Sequence, residues 1–292
     1  ANLRAIKKEI KMAREIAGED KILGVNIMVA MKEYATYVKA CVKEKIDLII
    51  SGAGIPKDLP EYVKGTITKI APIVSSLRCC KLIVKHWMTK YDYVPDMIVI
   101  EGPEAGGHLG FKREELDEEN KPKLENITSE IVEYIKEVEK ETGKEIPVIS
   151  AGGIWNSKDI KKYLSLGASG VQMATRFVAT DECDASEEFK KAYINAKEED
   201  IKIIKSPVGM PGRAIYNEFI QKTENEKCHI DKCYNCIKTC NVATTPYCIT
   251  KALINAVKGN LKEGLVFCGS NVKKVKEIVS VHDLMNELVC EL

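Results

Sequence analysis

The sequence lacks long hydrophobic runs and any excess of charge of one sign. Its longest apolar runs, residues 47–55 and 95–100, are far shorter than the roughly 18 to 20 residues needed to cross a bilayer, so we expect no transmembrane span. Lys plus Arg number 44 against 43 for Asp plus Glu, which gives a net charge of +1. Because this balance produces no general field, we expect neither nucleic acid nor a membrane as a partner.

Aromatic residues are also few, at 6%, but 45% of the 292 residues are hydrophobic and 30% are charged. This composition is typical of a globular protein and excludes the disordered, collagen and coiled-coil classes. The first ten residues are charged and helix-like, without the apolar core of a signal peptide. We therefore predict a cytoplasmic protein.

The sequence has eleven cysteines. Their odd number and the scattered positions of six of them argue against a disulfide scaffold. The other five crowd into residues 228–248: Cys228, Cys233, Cys236, Cys240 and Cys248. Closely spaced thiolates can converge on one zinc ion or iron-sulfur cluster, with His229 as a further candidate ligand. The alternative is a set of reduced, partly buried thiols in a cap.

Short β-rich apolar runs alternate with charged amphipathic stretches, which is the pattern of parallel strands joined by crossover helices. The fold class is therefore α/β. The six predicted strands are residues 22–29, 46–51, 70–75, 97–101, 147–151 and 170–174. The predicted helices between them are residues 31–44, 77–90, 127–142 and 157–166.

Either a doubly wound sheet or a TIM (β/α)8 barrel fits this spacing. Most of the strands end in small or polar residues, and several such ends favour the barrel, in which all of them meet at one mouth. We find no further pair of strands after Thr180. We therefore expect a barrel that lacks its first two strands, with strands three to eight in residues 1–180. Residues 181–292 are predicted to form a helical cap that carries the cysteines, with helices at 185–197 and 248–258 and a break at 206–212 between them.

Glycines mark the end of the fifth predicted strand, in Ala151-Gly-Gly-Ile154, and residues 172–177 follow the sixth. Glycine lets backbone N–H groups approach a phosphate closely, and in barrels the phosphate site follows strands seven and eight. We therefore predict a phosphate site here. The alternative is a pair of tight turns without a ligand.

Residues 101–110 place four glycines around one histidine, His108, at the end of a predicted strand. Such a loop can fold over a planar ligand and direct an imidazole toward it. His86 lies in a predicted helix, where we expect packing. His108 is therefore the candidate catalytic residue, with a purely structural role as the alternative.

Three ordered motifs, residues 104–110, 147–154 and 167–177, resemble the nitronate monooxygenase family, formerly called 2-nitropropane dioxygenases. That family also includes the flavin-dependent enoyl-acyl carrier protein reductases. The resemblance spans residues 22–220 and implies an FMN-containing TIM barrel. The family opens with a first strand that ends in a Gly-Met-like flavin-binding loop and with a second, glycine-rich strand, and we find neither in this sequence.

The resemblance also implies roles for individual residues. It assigns the FMN phosphate to Gly152, Gly153, Ala174 and Thr175, with Gln172 beside them. It directs Asn26 and Ser75 at the isoalloxazine, lets Glu101, Gly102 and Gly107 shape the wall, and makes His108 the acid/base. The family usually has glycine where this sequence has Ala174, a change that a backbone contact absorbs. We also expect Gly269-Ser-Asn271, in the cap, to lie near the ligand.

The implied reaction is the oxidation of alkyl nitronates with O2 to carbonyl compounds and nitrite. His108 would deprotonate a nitroalkane or stabilise its anion, a task for a group that titrates near neutrality. The alternatives are an NAD(P)H-dependent reductase of the enoyl-thioester or quinone type and a non-catalytic thiol or metal-binding protein on a decayed barrel. Assembly into a homo-oligomer remains open.

Overall fold

Parallel strands form the central sheet of the computed structural model, which describes residues 2–292. The strands of these residues are β1 Gly24–Met28, β2 Leu48–Gly52, β3 Lys69–Val74, β4 Ile98–Glu101, β5 Gly107–His108, β6 Val148–Ala151, β7 Gly170–Gln172, β8 Ile201–Lys205 and β9 Pro211–Ile215. The main sheet contains six of them, all parallel, in the order β1-β2-β3-β4-β6-β7.

The order of the strands in space follows their order in the chain. Each crossover therefore leads to the next neighbour, whereas a doubly wound sheet reverses direction at a switch point. Within the described residues β1 and β7 are not paired with each other, so the sheet is an open part of a barrel. The predicted α/β barrel architecture is thus confirmed, and all six predicted strands are present.

Helices cover one face of this sheet, and others pack in separate clusters of the C-terminal segment. They are α1 Asn2–Ala17, α2 Tyr34–Lys43, α3 Leu59–Val63, α4 Leu77–Tyr91, α5 Leu124–Thr142, α6 Ser157–Ser165, α7 Thr175–Val178, α8 Glu187–Asn195, α9 Glu218–Asn225, α10 Ile249–Val257 and α11 Val281–Val289. Among the described residues, no helix is both long and apolar enough to span a membrane.

Helix α5 illustrates why these segments are helical. Its buried residues Ile127, Ile131, Ile135 and Val138 recur every three to four positions and form one apolar stripe. The helix ends at Gly143, whose φ of 69° is the left-handed conformation that glycine adopts readily. The stripe faces the main core, which also contains the fully buried Trp87 of α4.

The two faces of the sheet bury different residues. Ile49, Ile70 and Ile98 belong to the large core shared with the helices. The opposite face forms a smaller cluster around Ala71, Val99 and Ala151. This alternation follows from the two-residue period of a strand.

The segment after residue 180 contains an element that the sequence analysis missed. Strands β8 and β9 form an antiparallel hairpin, and β9 also pairs with β5 in a three-stranded sheet. The sequence predicts helices here, interrupted by a break at residues 206–212. Residues 206–210 of that break form the turn of the hairpin, and residues 211 and 212 begin β9. The segments predicted as helices at 185–197 and 248–258 contain α8 and α10.

Candidate active site

Two consecutive glycines follow β6 and form a narrow cradle. Gly152 and Gly153 have φ values of 103° and 78°, which side chains of L-residues rarely adopt. A Cβ on Gly153 would lie 2.8 Å from the Cβ of Glu104, and one on Gly152 would lie 3.0 Å from the amide nitrogen of Ala105. Only glycine therefore fits here, and it leaves the backbone open to a ligand.

The cradle is one wall of a cavity at the carboxyl ends of β4, β6 and β7. Residues from four segments line it: Glu101, Glu104, Ala105 and Gly106; Ala151 to Trp155; Gln172 to Arg176; and Gly269, Ser270 and Asn271. Most of the residues that the resemblance assigned to the cofactor thus lie together in the lining of this cavity. They are Glu101, Gly152, Gly153, Gln172, Ala174 and Thr175.

Residues 269–271 close the cavity from the C-terminal part of the chain. The Asn271 side-chain amide donates a hydrogen bond to the carbonyl oxygen of Gly153 at 2.7 Å. The amide of Gly269 donates to Oγ1 of Thr175 at 3.2 Å. A Cβ on Gly269 would lie 2.6 Å from that same oxygen, so the chain can approach only as glycine. The structure therefore places this segment beside the cavity.

Two charged side chains of the cavity, Glu104 and Arg176, are paired. Burial would raise the pKa of Glu104, but hydrogen bonds from Lys121 and Ser270 outweigh it and lower this pKa. Arg176 makes two hydrogen bonds to the carboxylate of Glu287 in α11, at 2.7 and 2.6 Å. Its guanidinium also lies 4.9 Å from the ring centroid of Trp155. The ionised groups here are thus held by partners in the protein.

His108 lies in β5, which is hydrogen-bonded to β9 of the hairpin, with His108 opposite Gly212. Its Nε2 is 2.7 Å from Oγ of Ser206, and its ring meets that of Phe267 edge-on at a centroid distance of 4.9 Å. Burial lowers the pKa of His108 to about 4. The expectation that this histidine titrates near neutrality is therefore wrong, because desolvation disfavours the imidazolium. At neutral pH the ring is uncharged.

Glu101 is the last residue of β4, and its pKa is shifted in the direction opposite to that of His108. Burial raises the pKa of Glu101 to about 7, partly offset by a hydrogen bond from the amide of Gly110 at 3.4 Å. Ser75, at the end of β3, donates to the carbonyl oxygen of the same glycine at 2.7 Å. The carboxyl, rather than the imidazole, is the group in this region that titrates near neutrality.

The remaining predicted residues occupy different positions. Gly102 is buried beside the cradle, where a Cβ would lie 3.0 Å from Leu124. Gly107 precedes His108 with a φ of 73°. Asn26, in contrast, is exposed on the edge strand β1 and lines an open groove beside α1, apart from the cavity. The structure therefore does not bring Asn26 to the other site residues.

The cysteine segment contains free thiols. Cys233 is exposed and Cys228, Cys236, Cys240 and Cys248 are partly buried. Within residues 2–292, no three side chains of His, Cys, Asp or Glu are arranged to hold a metal ion. The zinc or iron-sulfur site predicted at Cys228, Cys233, Cys236 and Cys240 therefore has no support in the structure, because spacing along the chain does not fix the direction of the thiols.

The sequence analysis missed two residues that support the histidine loop. Ser206 contacts His108 from the hairpin, and Arg213 of β9, which is 5% exposed, donates to the carbonyl oxygen of Ala105. Both lie about a hundred residues beyond their partners, and neither belongs to a recognisable motif. The one available signal was the polar character of residues 205 and 206 and of Arg213 around a turn rich in proline and glycine.

Comparison with known proteins supports these observations. The family model for nitronate monooxygenase matches residues 1–291. A probable nitronate monooxygenase from Staphylococcus saprophyticus is 36% identical over 185 residues, which are 62% of this chain and 49% of that protein. The chain thus spans about half the length of the curated relatives it matches.

Two solved structures have the same fold. FabK from Thermotoga maritima superposes with a TM-score of 0.77 and 25% identity, covering 99% of this chain and 81% of that one. A nitroalkane oxidase from Streptomyces ansochromogenes gives a TM-score of 0.72 over 99% of this chain and 85% of that one, at 18% identity. The second likeness concerns the fold alone.

The parallel sheet and the likeness to FabK define the fold class as part of a (β/α) barrel. Since the family model covers nearly the whole sequence, the chain belongs to the nitronate monooxygenase family.

Proposed function

We propose that this chain is part of an FMN-dependent nitronate monooxygenase, which oxidises alkyl nitronates with O2 to carbonyl compounds and nitrite. The observation that carries the proposal is the cavity at the ends of β6 and β7, where glycine is the only residue that fits at Gly153 and Gly269. Membership of the nitronate monooxygenase family supports the reaction.

The donor set of the cavity fits a flavin phosphate. Gly152 and Gly153 offer backbone at close range, and Thr175 adds a hydroxyl at the start of α7. Gln172 and Ala174 would lie beside the phosphate, and Glu101, Gly102 and Gly107 would border the ring. Asn26 is left out because it is exposed elsewhere. When bound, the flavin supplies the electron transfer, and the protein supplies orientation and electrostatics.

His108 would act as an uncharged hydrogen-bonding group. Since burial lowers the pKa of His108 to about 4, the imidazole can hold an anionic oxygen of a nitronate without carrying a charge itself. Glu101, with its pKa raised to about 7, is the group that can exchange a proton near neutrality. Phe267 and Ser206 would keep the ring in place.

We also propose that residues 1–180 form the FMN-binding part and that residues 181–292 act as its lid. Asn271 and Gly269 of the second segment hydrogen-bond to Gly153 and Thr175 of the first. The cytoplasm is the proposed location, because all eleven cysteines are free thiols, which favours a reducing compartment.

An anaerobic visible spectrum of the purified chain, after incubation with FMN, tests the proposal. We expect a flavin spectrum that is bleached by an alkyl nitronate and is indifferent to NAD(P)H. Bleaching by NAD(P)H without reaction with nitronate would instead identify a reductase of the enoyl-thioester or quinone type. A His108→Asn variant that binds FMN but turns over nitronate as fast as the unmodified chain would contradict the role given to the histidine.

A further inference from the structure

Ser206 stands out among the polar residues of the hairpin because it is 3% exposed and contacts the ring of His108. It immediately follows β8, and the turn of the hairpin holds it in place through a hydrogen bond from the amide of Gly209 to its carbonyl oxygen at 2.9 Å. Its Oγ lies 2.7 Å from Nε2 of His108 and 3.3 Å from the amide nitrogen of Val208. These two contacts decide which ring nitrogen carries the proton.

The amide of Val208 can only donate, so Oγ of Ser206 accepts this hydrogen bond. Suppose first that Nε2 of His108 also carried a hydrogen. Oγ would then accept twice, and the hydroxyl hydrogen of Ser206 would have no acceptor among the described residues. A buried hydroxyl left in this state is costly.

If Nε2 is unprotonated, the hydroxyl of Ser206 donates to it and accepts from the amide of Val208, so the buried hydroxyl is satisfied. The ring proton then resides on Nδ1 of His108, which has no hydrogen-bond partner in the described chain. The unsatisfied hydroxyl of the first arrangement costs enough free energy to favour the Nδ1–H tautomer about tenfold or more.

We infer that Ser206 is a positioning residue that fixes His108 in the Nδ1–H tautomer, so that the ring offers a hydrogen-bond donor to an anionic substrate oxygen. The choice of tautomer follows from the contacts of Ser206 alone. Only the identity of the acceptor, a nitronate oxygen, rests on the proposed function. His108 therefore binds and stabilises an anion rather than removing a proton from a neutral nitroalkane.

Nitrogen-15 NMR of the full chain with labelled histidine tests the tautomer at neutral pH without any flavin. The chain has four histidines, so a His108→Asn variant assigns the resonances of His108. In the unmodified chain we expect Nδ1 at the shift of a protonated pyrrole-type nitrogen and Nε2 at that of an unprotonated acceptor. In Ser206→Ala both shifts should move toward the average of two tautomers, and in Ser206→Thr, which keeps the hydroxyl, they should return.

Ser165→Ala is the matched control, because this serine is exposed and bonds only to the carbonyl oxygen of Lys162 in its own helix. It should leave the His108 shifts unchanged. A protonated Nε2 in the unmodified chain would overturn the inference, as would unchanged shifts in a folded Ser206→Ala variant. The spectrum of the unmodified chain decides the question even if Ser206→Ala does not fold.

Turnover separates this inference from the proposed function. On flavin-loaded protein, Ser206→Ala should lower kcat/KM for nitronate by about tenfold, and Ser206→Thr should recover most of it. If the NMR result is as expected but no variant oxidises nitronate, the tautomer stands and the proposed function fails. If nitronate is oxidised equally well by Ser206→Ala with altered shifts, the positioning role is wrong.

Discussion

The substitution Gly153→Ala tests the phosphate cradle directly. The φ of 78° at Gly153 costs an L-residue about 1 to 2 kcal/mol. The new methyl group would also lie 2.8 Å from the Cβ of Glu104. Either the glycine turn after β6 or the segment after β4 that contains Glu104 must therefore shift. Because the shift changes the wall that faces the ligand, we expect FMN affinity to fall at least about tenfold, equivalent to about 1.4 kcal/mol. Quenching of flavin fluorescence on titration with the apoprotein measures this affinity.

Gly143→Ala is the matched control. Gly143 ends α5 with a similar φ of 69°, but a Cβ there would meet nothing within 4 Å. Both variants should lose about 1 kcal/mol of unfolding free energy through backbone strain, measured by urea denaturation. Only Gly153→Ala should lose FMN affinity. Equal FMN dissociation constants for the two variants, to within about twofold, would refute the assignment of the cradle to the phosphate.

Further predictions concern Glu101, His108 and Asn271. The pKa of Glu101 is raised to about 7, so its contribution to stability is present below the ordinary value of about 4.3 and is lost as pH rises toward 7. In urea unfolding, the stability of Glu101→Gln relative to the unmodified chain should therefore increase from pH 5 to 8. A difference in unfolding free energy between the two proteins that stays the same over this range would contradict the prediction. The pKa of His108 is lowered to about 4, so the contribution of His108 to the free energy of unfolding is lost as pH falls from about 6.5 toward 4. In His108→Asn the free energy of unfolding should vary less with pH in this range. The same variant should lower kcat/KM for nitronate about 100-fold or more. Asn271→Ala removes the 2.7 Å hydrogen bond to Gly153 and should weaken FMN binding by about fivefold, whereas an unchanged affinity would show that the tail does not support the cradle.

The central sheet was predictable because its strands carry a local signal. Residues such as 46–51 and 97–101 are short apolar runs between charged helices, and their burial is complete in the structure at Ile49 and Ile98. The hairpin carries no such signal. Its first strand, Ile201–Lys205, has the sequence Ile-Lys-Ile-Ile-Lys, in which lysines interrupt the apolar run within a Lys- and Glu-rich stretch. Its partner β9 is buried by long-range contacts, such as the bridge from Ala214 to Phe267.

In the candidate site, too, the residues with a local sequence signal were predictable and those placed by distant contacts were not. Gly152 and Gly153 are recognisable because a glycine pair directly after a strand requires positive φ or close approach, and both occur. Ser206 could not be found, since its role depends on a contact 98 residues away in the chain. The position of Asn26 depends on β1 being an edge strand of the described sheet, which its own residues do not encode.

Burial gives Glu101 and His108, two of the titratable groups of residues 101–110, complementary states. Desolvation lets Glu101 keep its proton up to a pKa of about 7 and makes His108 lose its proton above about 4. Near neutrality the imidazole is uncharged and the carboxyl is only partly ionised, while the charges of Glu104 and Arg176 are matched by Lys121 and Glu287. An anion that enters this cavity therefore meets few unpaired charges. Recognition of that anion then depends on fixed dipoles such as the backbone of the cradle and, under the inference above, the ring N–H of His108, which are oriented before the ligand arrives.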